Sequence, residues 1–364
     1  MTDNTSQIRV AVLGDARQVH IHRWSAYLAE AGYGVLTLSL EPMDGVVGLR
    51  RRIIVPSLLP DVFRYPMAVS AVRRALNHFD PHIVNAHFVP NYGLIAALTH
   101  FSPWVLSTWG SDIMVLPGKS AFHMARTRFV VRRATYITSD ADVMSKRLVE
   151  LGASPDRVIT FPYGVDRKVF HLATRSSPGN APRVLCNRKM EPVYNVGTLV
   201  AAFIEVVKTI PGARLTLAGS GSQKRALERQ VRSSDADSAV SFVGDVAHRA
   251  MPDLLRDHDL FVSAALSDTT SVSLLEAMAC GLFPIVSDIP ANREWIEDGR
   301  NGFVVPPRDV HALAQAITEA WRNRELRETA RQKNAGLIEA RADWFRNMSV
   351  VADLFRRLAR PRTS

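Results

Sequence analysis

The chain has 364 residues, of which 47% are hydrophobic and 22% charged, a composition that excludes a fibrous or largely disordered protein. Its length predicts two domains, and its formal net charge of +10 favours anionic partners such as nucleotides, phosphorylated substrates, nucleic acid or lipid surfaces. Two cysteines, Cys186 and Cys280, are too few for a disulfide framework and lack the spacing of a zinc site.

These features favour a reducing, cytoplasmic setting. The first residues are polar up to the apolar run that begins at Ile8, so we expect no signal peptide. No uninterrupted apolar stretch reaches the roughly 18 residues that a membrane-spanning helix needs. Any membrane contact is therefore expected to be peripheral, on the inner face of the cytoplasmic membrane.

Short β-branched runs alternate with amphipathic stretches through the first half of the chain. The first strand is predicted to end at Gly14, and the helix after it at Gly32. Further strands are predicted over 35–40, 82–88, 104–110 and 135–139, and helices over 68–79, 91–100 and 121–133. This alternation predicts a parallel sheet with helices on both faces.

A turn-rich segment, 171–183, precedes a second series of the same kind. Strands are predicted over 183–188, 214–221, 239–244, 260–264, 282–287 and 303–306, and a helix over 197–210. We predict an α/β protein of two facing Rossmann-like domains, 1–170 and 171–340, followed by a C-terminal helix, 341–364, that packs back toward the first domain. Since ligands bind beyond the carboxyl ends of such strands, the active site is expected in the interdomain cleft.

Residues 267–288 carry the most informative motif. Asp268 ends a polar loop, and the small residues 269–271 lead into a helix that is predicted to end at Gly281. Backbone N–H groups at such a helix start favour an anion, and a diphosphate would suit them. Glu276 lies on the helix, so the two carboxylates could bind different parts of one extended ligand. The alternative is a capping box between Ser273 and Glu276, with Asp268 solvated in its loop.

The whole segment resembles the C-terminal signature of retaining glycosyltransferases of family 4. That signature has two acidic residues separated by seven, then Ala-Met-Ala-Cys-Gly and a proline-containing strand, which match Asp268, Glu276, the run 277–281 and Pro284. Segments 139–170, 183–203, 215–228 and 292–309 extend the resemblance over nearly the full chain. It implies the GT-B architecture and metal-independent transfer, with retention, from a nucleotide diphosphate sugar to a glycan or lipid-linked acceptor.

The resemblance also implies roles for individual residues. Arg188 would contact the donor diphosphate, Asp268 the hydroxyls of the donor sugar, and Glu276 the ribose; these three are the expected catalytic residues. Gly14 would lie in a loop that closes over the phosphates, and the nucleobase would pack near residues 243 and 244. The expected donor-binding set is Gly14, Arg188, Lys189, Val243, Gly244, Asp268, Thr269, Thr270, Ser271 and Glu276.

Several positions depart from the family pattern. Asp268 replaces the usual Glu, and 269–271 replace the usual Gly-Phe-Gly, so the donor sugar does not follow from the resemblance. The family lysine after the arginine has no counterpart: Tyr194 or Asn195 stands near its place, and Lys189 either supplies the charge or faces solvent.

In the first half, Trp109 stands where many members have a histidine, and either stacks on the sugar or fills the core. His20 and His22 contact phosphate or acceptor, or are structural.

Two DxD tripeptides, 140–142 and 235–237, have the spacing of a metal-binding motif, but a helix N-cap at Asp140 explains the first of them. Arg188 and the helix start near 271 can neutralise a leaving diphosphate, so we expect no metal and no cofactor other than the donor.

Arginine-rich segments 48–66 and 123–134 predict either contact with an anionic membrane or a solvated surface. No nucleic-acid-binding motif accompanies them. Two other functions stay open: a sugar-nucleotide 2-epimerase or hydrolase on the same fold, and a non-catalytic nucleotide-sugar-binding protein.

Overall fold

The computed structural model describes residues 7–55, 60–173 and 179–359. The chain divides into two compact units. The first unit comprises residues 1–161 and 348–364, and the second comprises residues 162–347. Residues 56–59, 174–178 and 360–364 lie outside the described residues. They are parts of the predicted segments 48–66, 171–183 and 341–364.

The first unit is built on a seven-stranded parallel sheet in the order β3-β2-β1-β4-β5-β6-β7. Its strands are β1 (Arg9–Leu13), β2 (Gly34–Ser39), β3 (Leu49–Arg52), β4 (Ile83–His87), β5 (Trp104–Ser107), β6 (Tyr136–Ser139) and β7 (Val158–Thr160). Its helices are α1 (Val19–Glu30), α2 (Asp61–Phe79), α3 (Leu94–Thr99), α4 (Ser111–Met114), α5 (Ala121–Arg133) and α6 (Asp142–Glu150).

The second unit repeats this plan with six parallel strands in the order β10-β9-β8-β11-β12-β13. Its strands are β8 (Arg183–Cys186), β9 (Arg214–Ala218), β10 (Val240–Gly244), β11 (Leu260–Ser263), β12 (Phe283–Ser287) and β13 (Phe303–Val305). Its helices are α7 (Val196–Thr209), α8 (Lys224–Arg232), α9 (Met251–Arg256), α10 (Val272–Ala279), α11 (Pro290–Arg293), α12 (Val310–Arg322) and α13 (Arg324–Arg341). The predicted α/β class with two Rossmann-like sheets is confirmed.

The central strands of both sheets are buried along their whole length. Helices cover both faces of a parallel sheet, which is why consecutive residues of these strands are buried rather than alternate ones. The edge strand β3 is the opposite case, because all four of its residues, including three arginines, are exposed. Both alternatives predicted for segment 48–66, membrane contact and a solvated surface, require exposed arginines, and an open sheet edge exposes them.

Three elements of the first unit differ from the predicted ones in their bounds or type. Helix α2 begins at Asp61 rather than at 68. The predicted helix 91–100 is a π-helical turn, Phe88–Gly93, followed by the short α3. Strand β7 was not predicted, since its three residues carry little periodicity.

The last helix, α14 (Trp344–Ala359), begins among the final residues of the second unit and continues into the first. Within the first unit, the Tyr33 hydroxyl donates to the Ala352 carbonyl at 2.8 Å, and the Tyr33 ring meets the buried Phe355 edge-on at 6.4 Å. These contacts fix residues 348–359 to the helical layer beside β2. Over the described ranges, no helix combines the length and apolarity needed to cross a membrane.

The strand order reverses at the centre of each sheet, between β1 and β4 and between β8 and β11. At such a point the loops after the two neighbouring strands diverge and leave a crevice at the carboxyl edge. Each unit therefore carries one crevice, formed by the loops after β1 and β4 in the first unit and after β8 and β11 in the second.

Candidate functional site

The crevice of the second unit brings Arg188 and Asp268 together. Arg188 lies two residues after β8, and Asp268 lies in the loop between β11 and α10. Nη2 of Arg188 is 2.5 Å from Oδ2 of Asp268, and Nη1 donates to the Ser271 hydroxyl at 2.5 Å. Three of the sequence-predicted site residues thus form one hydrogen-bonded cluster.

The Arg188 side chain is only 8% exposed. Its guanidinium carbon lies 4.4 Å from the centroid of the Tyr194 ring, within cation–π distance. Nε is buried without a hydrogen-bond partner among the described residues. Since buried polar groups are normally satisfied, this N–H is an exception in the second unit.

Asp268 is held on both of its oxygens. While Oδ2 pairs with Arg188, Oδ1 accepts from the Thr269 backbone N–H at 3.1 Å. Burial raises the pKa of Asp268, and the Arg188 guanidinium offsets this effect only in part. The alternative of a solvated loop carboxylate is wrong, because this side chain is only 17% exposed and is paired with a buried cation.

Helix α10 begins with Ser271 as its N-cap, whose hydroxyl accepts from the Leu274 N–H at 3.3 Å. The capping box that starts at Ser273 is therefore wrong by two residues; Ser273 instead donates to the Asn187 carbonyl at 3.4 Å. Residues 269–271 are all buried, and the Trp295 indole donates to the Thr270 hydroxyl at 3.3 Å. The start of α10 is thus packed firmly against the end of β8.

Glu276 lies on α10 with its side chain 8% exposed. Oε1 is 3.8 Å from Nδ1 of His248, whose ring also packs on Phe170 at 5.2 Å. His248 comes from the 3-10 turn His248–Ala250 before α9 and was not among the predicted site residues. No motif connects it to Glu276; only the fold does.

The loop after β9 supports the Arg188 backbone, a contact that the sequence did not predict. Gly219 and Gly221 have φ values of +139° and +155°. A Cβ on Gly221 would lie 2.5 Å from the Met190 carbonyl, and one on Gly219 would lie 2.9 Å from the Arg188 carbonyl oxygen. The Met190 N–H donates to the Ser220 carbonyl at 2.8 Å. The Gly-Ser-Gly sequence was the available signal, since both positions exclude a side chain.

We expect Gly221→Ala to lower the free energy of unfolding by about 3 kcal/mol, because the added Cβ meets backbone atoms that have no flexible end to move. Chemical denaturation measures this change. Gly336→Ala is the matched control in the same unit, since a Cβ there meets nothing within 4 Å and helix α13 favours alanine. Equal stability of the two variants would contradict the prediction.

The predicted nucleobase residues lie at the end of β10. Val243 is 47% exposed, and Gly244 has φ +72° with open space where its Cβ would be. The Gly244 carbonyl accepts from the Gly219 N–H at 2.7 Å, so this strand end adjoins the loop after β9. The contact of these two residues with the nucleobase stays a prediction.

Among the described residues near the position of the missing family lysine, namely Lys189, Tyr194 and Asn195, none brings a cation into the cluster. Lys189 is exposed, which agrees with the alternative that this side chain faces solvent. Tyr194 lies against the Arg188 guanidinium, whereas Asn195 donates to the Ala264 carbonyl at 3.2 Å and accepts from Thr198 at 3.0 Å. Of the residues near the lysine position, Tyr194 therefore meets the cluster and Asn195 braces the start of α7.

The crevice of the first unit holds an aromatic cluster around Trp109. The Trp109 indole donates to Nδ1 of the fully buried His87 at 3.3 Å, and Nε2 of His87 donates to Asn85 Oδ1 at 2.9 Å. His20 meets Trp109 edge-on at 5.3 Å. The Trp109 backbone N–H donates to Asp112 at 3.0 Å. Trp109 is half-buried and fixed in place, which leaves part of its ring at the carboxyl edge of the sheet.

Gly14 directly follows β1 beside this cluster, and a Cβ there would overlap the Ile21 side chain. Its proposed role toward the donor remains a prediction. Of the two alternatives for His22, the structural role agrees with its contact, because Nε2 donates to the Ala16 carbonyl at 2.5 Å.

The buried histidine predicts a pH dependence of stability. Burial lowers the pKa of His87 to about 3, with a smaller contribution from His20. The unfolded chain binds this proton below about pH 6.5 and the folded chain does not, so the stability that neutral His87 contributes is lost as the pH falls. From pH 7 to pH 5 the difference in unfolding free energy between wild type and His87→Gln should shrink by about 2 kcal/mol. Urea denaturation at both pH values measures it, and an unchanged difference would contradict the assignment.

The two DxD segments, 140–142 and 235–237, differ in their surroundings. The N-cap of α6 is Ala141, so the predicted capping role of Asp140 is wrong; Asp140 is buried one residue earlier. Asp235 and Asp237 are exposed. Among residues 7–55, 60–173 and 179–359, no group of three or more His, Cys, Asp or Glu side chains could hold a metal ion.

Two family models match the chain. Residues 181–323 match Glycosyl transferases group 1, and residues 9–141 match Glycosyl transferase 4-like. A glycogen synthase of Mycobacterium tuberculosis is 25% identical over 332 residues, which cover 82% of this chain and 80% of the relative. A GDP-mannose-dependent monoacylated alpha-(1-6)-phosphatidylinositol monomannoside mannosyltransferase of Corynebacterium glutamicum is 25% identical over 314 residues, covering 78% and 80%.

Among solved structures, a sucrose-phosphate synthase of Thermosynechococcus elongatus is similar with a TM-score of 0.85. The superposition covers 97% of this chain and 99% of that one at 18% sequence identity. At this identity the likeness concerns the fold.

Proposed function

The chain belongs to the glycosyl transferases of group 1, and on that premise we propose that it transfers a sugar from a nucleotide diphosphate donor to a glycan or lipid-linked acceptor, with retention at the anomeric carbon and without a metal ion. The observation that supports the site is the buried Arg188 at the switch point of the second unit, bonded to Asp268 and Ser271 at the start of α10. A guanidinium beside a helix N-terminus suits a diphosphate.

Each residue of the cluster then has a part in the reaction. Arg188 and the N–H groups at the start of α10 hold the diphosphate and stabilise the negative charge that develops as it leaves. Asp268 accepts hydrogen bonds from hydroxyls of the donor sugar. Glu276 accepts them from the ribose, and residues 243 and 244 contact the nucleobase.

We propose front-face attack for the transfer step. The bond between the anomeric carbon and the diphosphate breaks, and the acceptor oxygen bonds to that carbon on the same face. The acceptor proton passes to an oxygen of the departing diphosphate, so no protein base is needed. Detection of a covalent glycosyl-enzyme on incubation with donor would overturn this step.

A panel of nucleotide sugars tests the function directly. Thermal shift and native mass spectrometry with UDP-, GDP- and ADP-linked hexoses should identify one donor that raises the melting temperature. With that donor and candidate glycan or lipid-linked acceptors, NMR of the product should show the anomeric configuration of the donor. Turnover without any acceptor would favour the epimerase or hydrolase, and binding without turnover the non-catalytic protein.

We further propose that the first unit contacts an anionic membrane where a lipid-linked acceptor would lie. One stripe of α2 is exposed and changes from apolar to cationic along the helix: Val62, Phe63, Pro66 and Met67 are followed, after the exposed Ser70, by Arg73 and Arg74. Phe63 and Met67 are 59% and 56% exposed. An apolar surface rimmed by arginines is suited to the interface of an anionic bilayer.

Vesicle co-sedimentation tests this surface. Wild type should bind vesicles containing phosphatidylglycerol and release them at high salt, whereas the double variant Phe63→Ser, Met67→Ser should bind much more weakly. Val169→Ser, on the exposed surface of the second unit, is the control. Wild-type binding equal to that of the double variant would remove the membrane proposal and leave the transfer proposal untouched.

A further inference from the structure

The Arg188–Asp268 pair places a carboxylate against the cation that the proposed function assigns to the diphosphate. The contact is 2.5 Å, between a side chain 8% exposed and one 17% exposed. Water screens such a pair weakly, so the charge of Asp268 acts strongly on any anion that Arg188 binds.

The position of this carboxylate is fixed by its surroundings. The Thr269 N–H holds its second oxygen at 3.1 Å, and the Ser271 hydroxyl holds the other terminal nitrogen of Arg188 at 2.5 Å. The Tyr194 ring supports the guanidinium face at 4.4 Å. Arg188 therefore cannot turn away from Asp268 without breaking several contacts at once.

Two kinds of ligand experience this carboxylate differently. The oxygens of a nucleoside diphosphate compete with it for the same guanidinium and are repelled by its charge. A nucleotide sugar presents the same phosphates, but its hydroxyls donate hydrogen bonds to the carboxylate, and a bond from a hydroxyl to an ionised acceptor is among the stronger ones. The repulsion is thus offset only when the sugar is attached.

We propose that Asp268 is a specificity-determining residue that makes the site prefer the intact donor over the nucleoside diphosphate product. The inference rests on the proposed function, and it adds a consequence: once the sugar has left, the carboxylate weakens the hold on the diphosphate and promotes its release. The arrangement is a repulsive element against one ligand combined with an attractive one for another.

The opposite role for Asp268 makes the opposite prediction. Arg188 has five N–H donors, and the contacts with Asp268 and Ser271 engage one on each terminal nitrogen. If Asp268 served only to orient the guanidinium, the remaining donors would bind the diphosphate better with Asp268 present. Removing the carboxylate would then weaken diphosphate binding rather than strengthen it.

Isothermal titration calorimetry with the full chain decides between these roles. The probes are the nucleoside diphosphate and the nucleotide sugar of the donor found in the panel. The neutral variants Asp268→Asn and Asp268→Ser should each bind the nucleoside diphosphate about tenfold more tightly than wild type, and should bind the intact donor no more tightly. Two variants are used so that a folding defect in one leaves the test standing.

Asp245→Asn is the matched control, because Asp245 is an exposed carboxylate beside the same sheet edge that accepts from the Ser220 hydroxyl at 2.8 Å and not from Arg188. It should leave the affinity for the nucleoside diphosphate unchanged. Weaker or equal diphosphate binding by both Asp268 variants would overturn the inference alone. Failure of wild type to bind any nucleoside diphosphate or nucleotide sugar would instead overturn the proposed function.

Discussion

Replacing Arg188 with lysine is expected to reduce sugar transfer about a thousandfold while the second unit stays folded. Lysine keeps the positive charge, so Asp268 retains an ionic partner. It has no planar fork, however, so its single nitrogen cannot occupy both positions from which Nη1 and Nη2 of Arg188 bond to Ser271 and Asp268. The loss should fall mainly on kcat, because the negative charge on the diphosphate is greatest as the sugar leaves.

Alanine is the less informative substitution at this position. It would leave Asp268 buried without its cation, which costs about 3–5 kcal/mol of stability in comparable pairs. Lost activity would then not separate catalysis from unfolding. Lysine avoids this problem, provided that circular dichroism and the melting temperature match those of wild type.

Arg327→Lys is the control for Arg188→Lys. Arg327 also lies against an aromatic ring, with its guanidinium carbon 4.7 Å from the Trp321 centroid, and donates to the Ala320 carbonyl. It belongs to the start of α13 and not to the loop after β8. Steady-state kinetics should show wild-type transfer in this variant. Full activity of Arg188→Lys would contradict the role of Arg188.

The resemblance to a family assigned Arg188 and the helix start near 271 to the same diphosphate, and the fold brings both to one sheet edge because both follow buried strands. RVLC and LFVS are apolar runs, and the parallel register brings their carboxyl ends to one edge. The motif around 268–281 then supplied the identity of the residues through its resemblance to a family. Strand pattern and motif together thus predicted that these residues lie close to one another, while their roles toward a donor stay predictions.

Other parts of the site depend on contacts that no local pattern contains. His248 reaches Glu276 only because the turn before α9 packs near α10. The N-cap could not be assigned to Ser271 over Ser273, since both are good capping residues and the choice depends on where the loop from β11 meets the helix. The requirement for Gly221 arises from the Met190 backbone, 31 residues earlier in the chain.

Replacing Glu276 with glutamine is expected to weaken donor binding about a hundredfold, the loss that two hydrogen bonds to an ionised acceptor would give. Glutamine has the same shape, and the side chain is 8% exposed, so the packing of α10 is preserved. The amide replaces one of the two acceptor oxygens by an NH₂ group, which cannot accept from a hydroxyl, and the oxygen that remains is no longer ionised. The effect should appear in the dissociation constant of the nucleoside diphosphate as well as in that of the intact donor.

A ligand lacking one ribose hydroxyl shows whether Glu276 acts through that group. Wild type should bind the 2′-deoxy or 3′-deoxy nucleoside diphosphate at least tenfold more weakly than the ribonucleotide. Glu276→Gln should discriminate much less, because the contact that recognises the hydroxyl is already weakened. Undiminished discrimination in Glu276→Gln would place ribose recognition elsewhere.

The variant His248→Ala separates the contact of Glu276 with His248 from its proposed contact with the ribose. If His248, at 3.8 Å, only positions Glu276, this variant should bind the nucleoside diphosphate moderately more weakly and should keep the preference for the ribonucleotide.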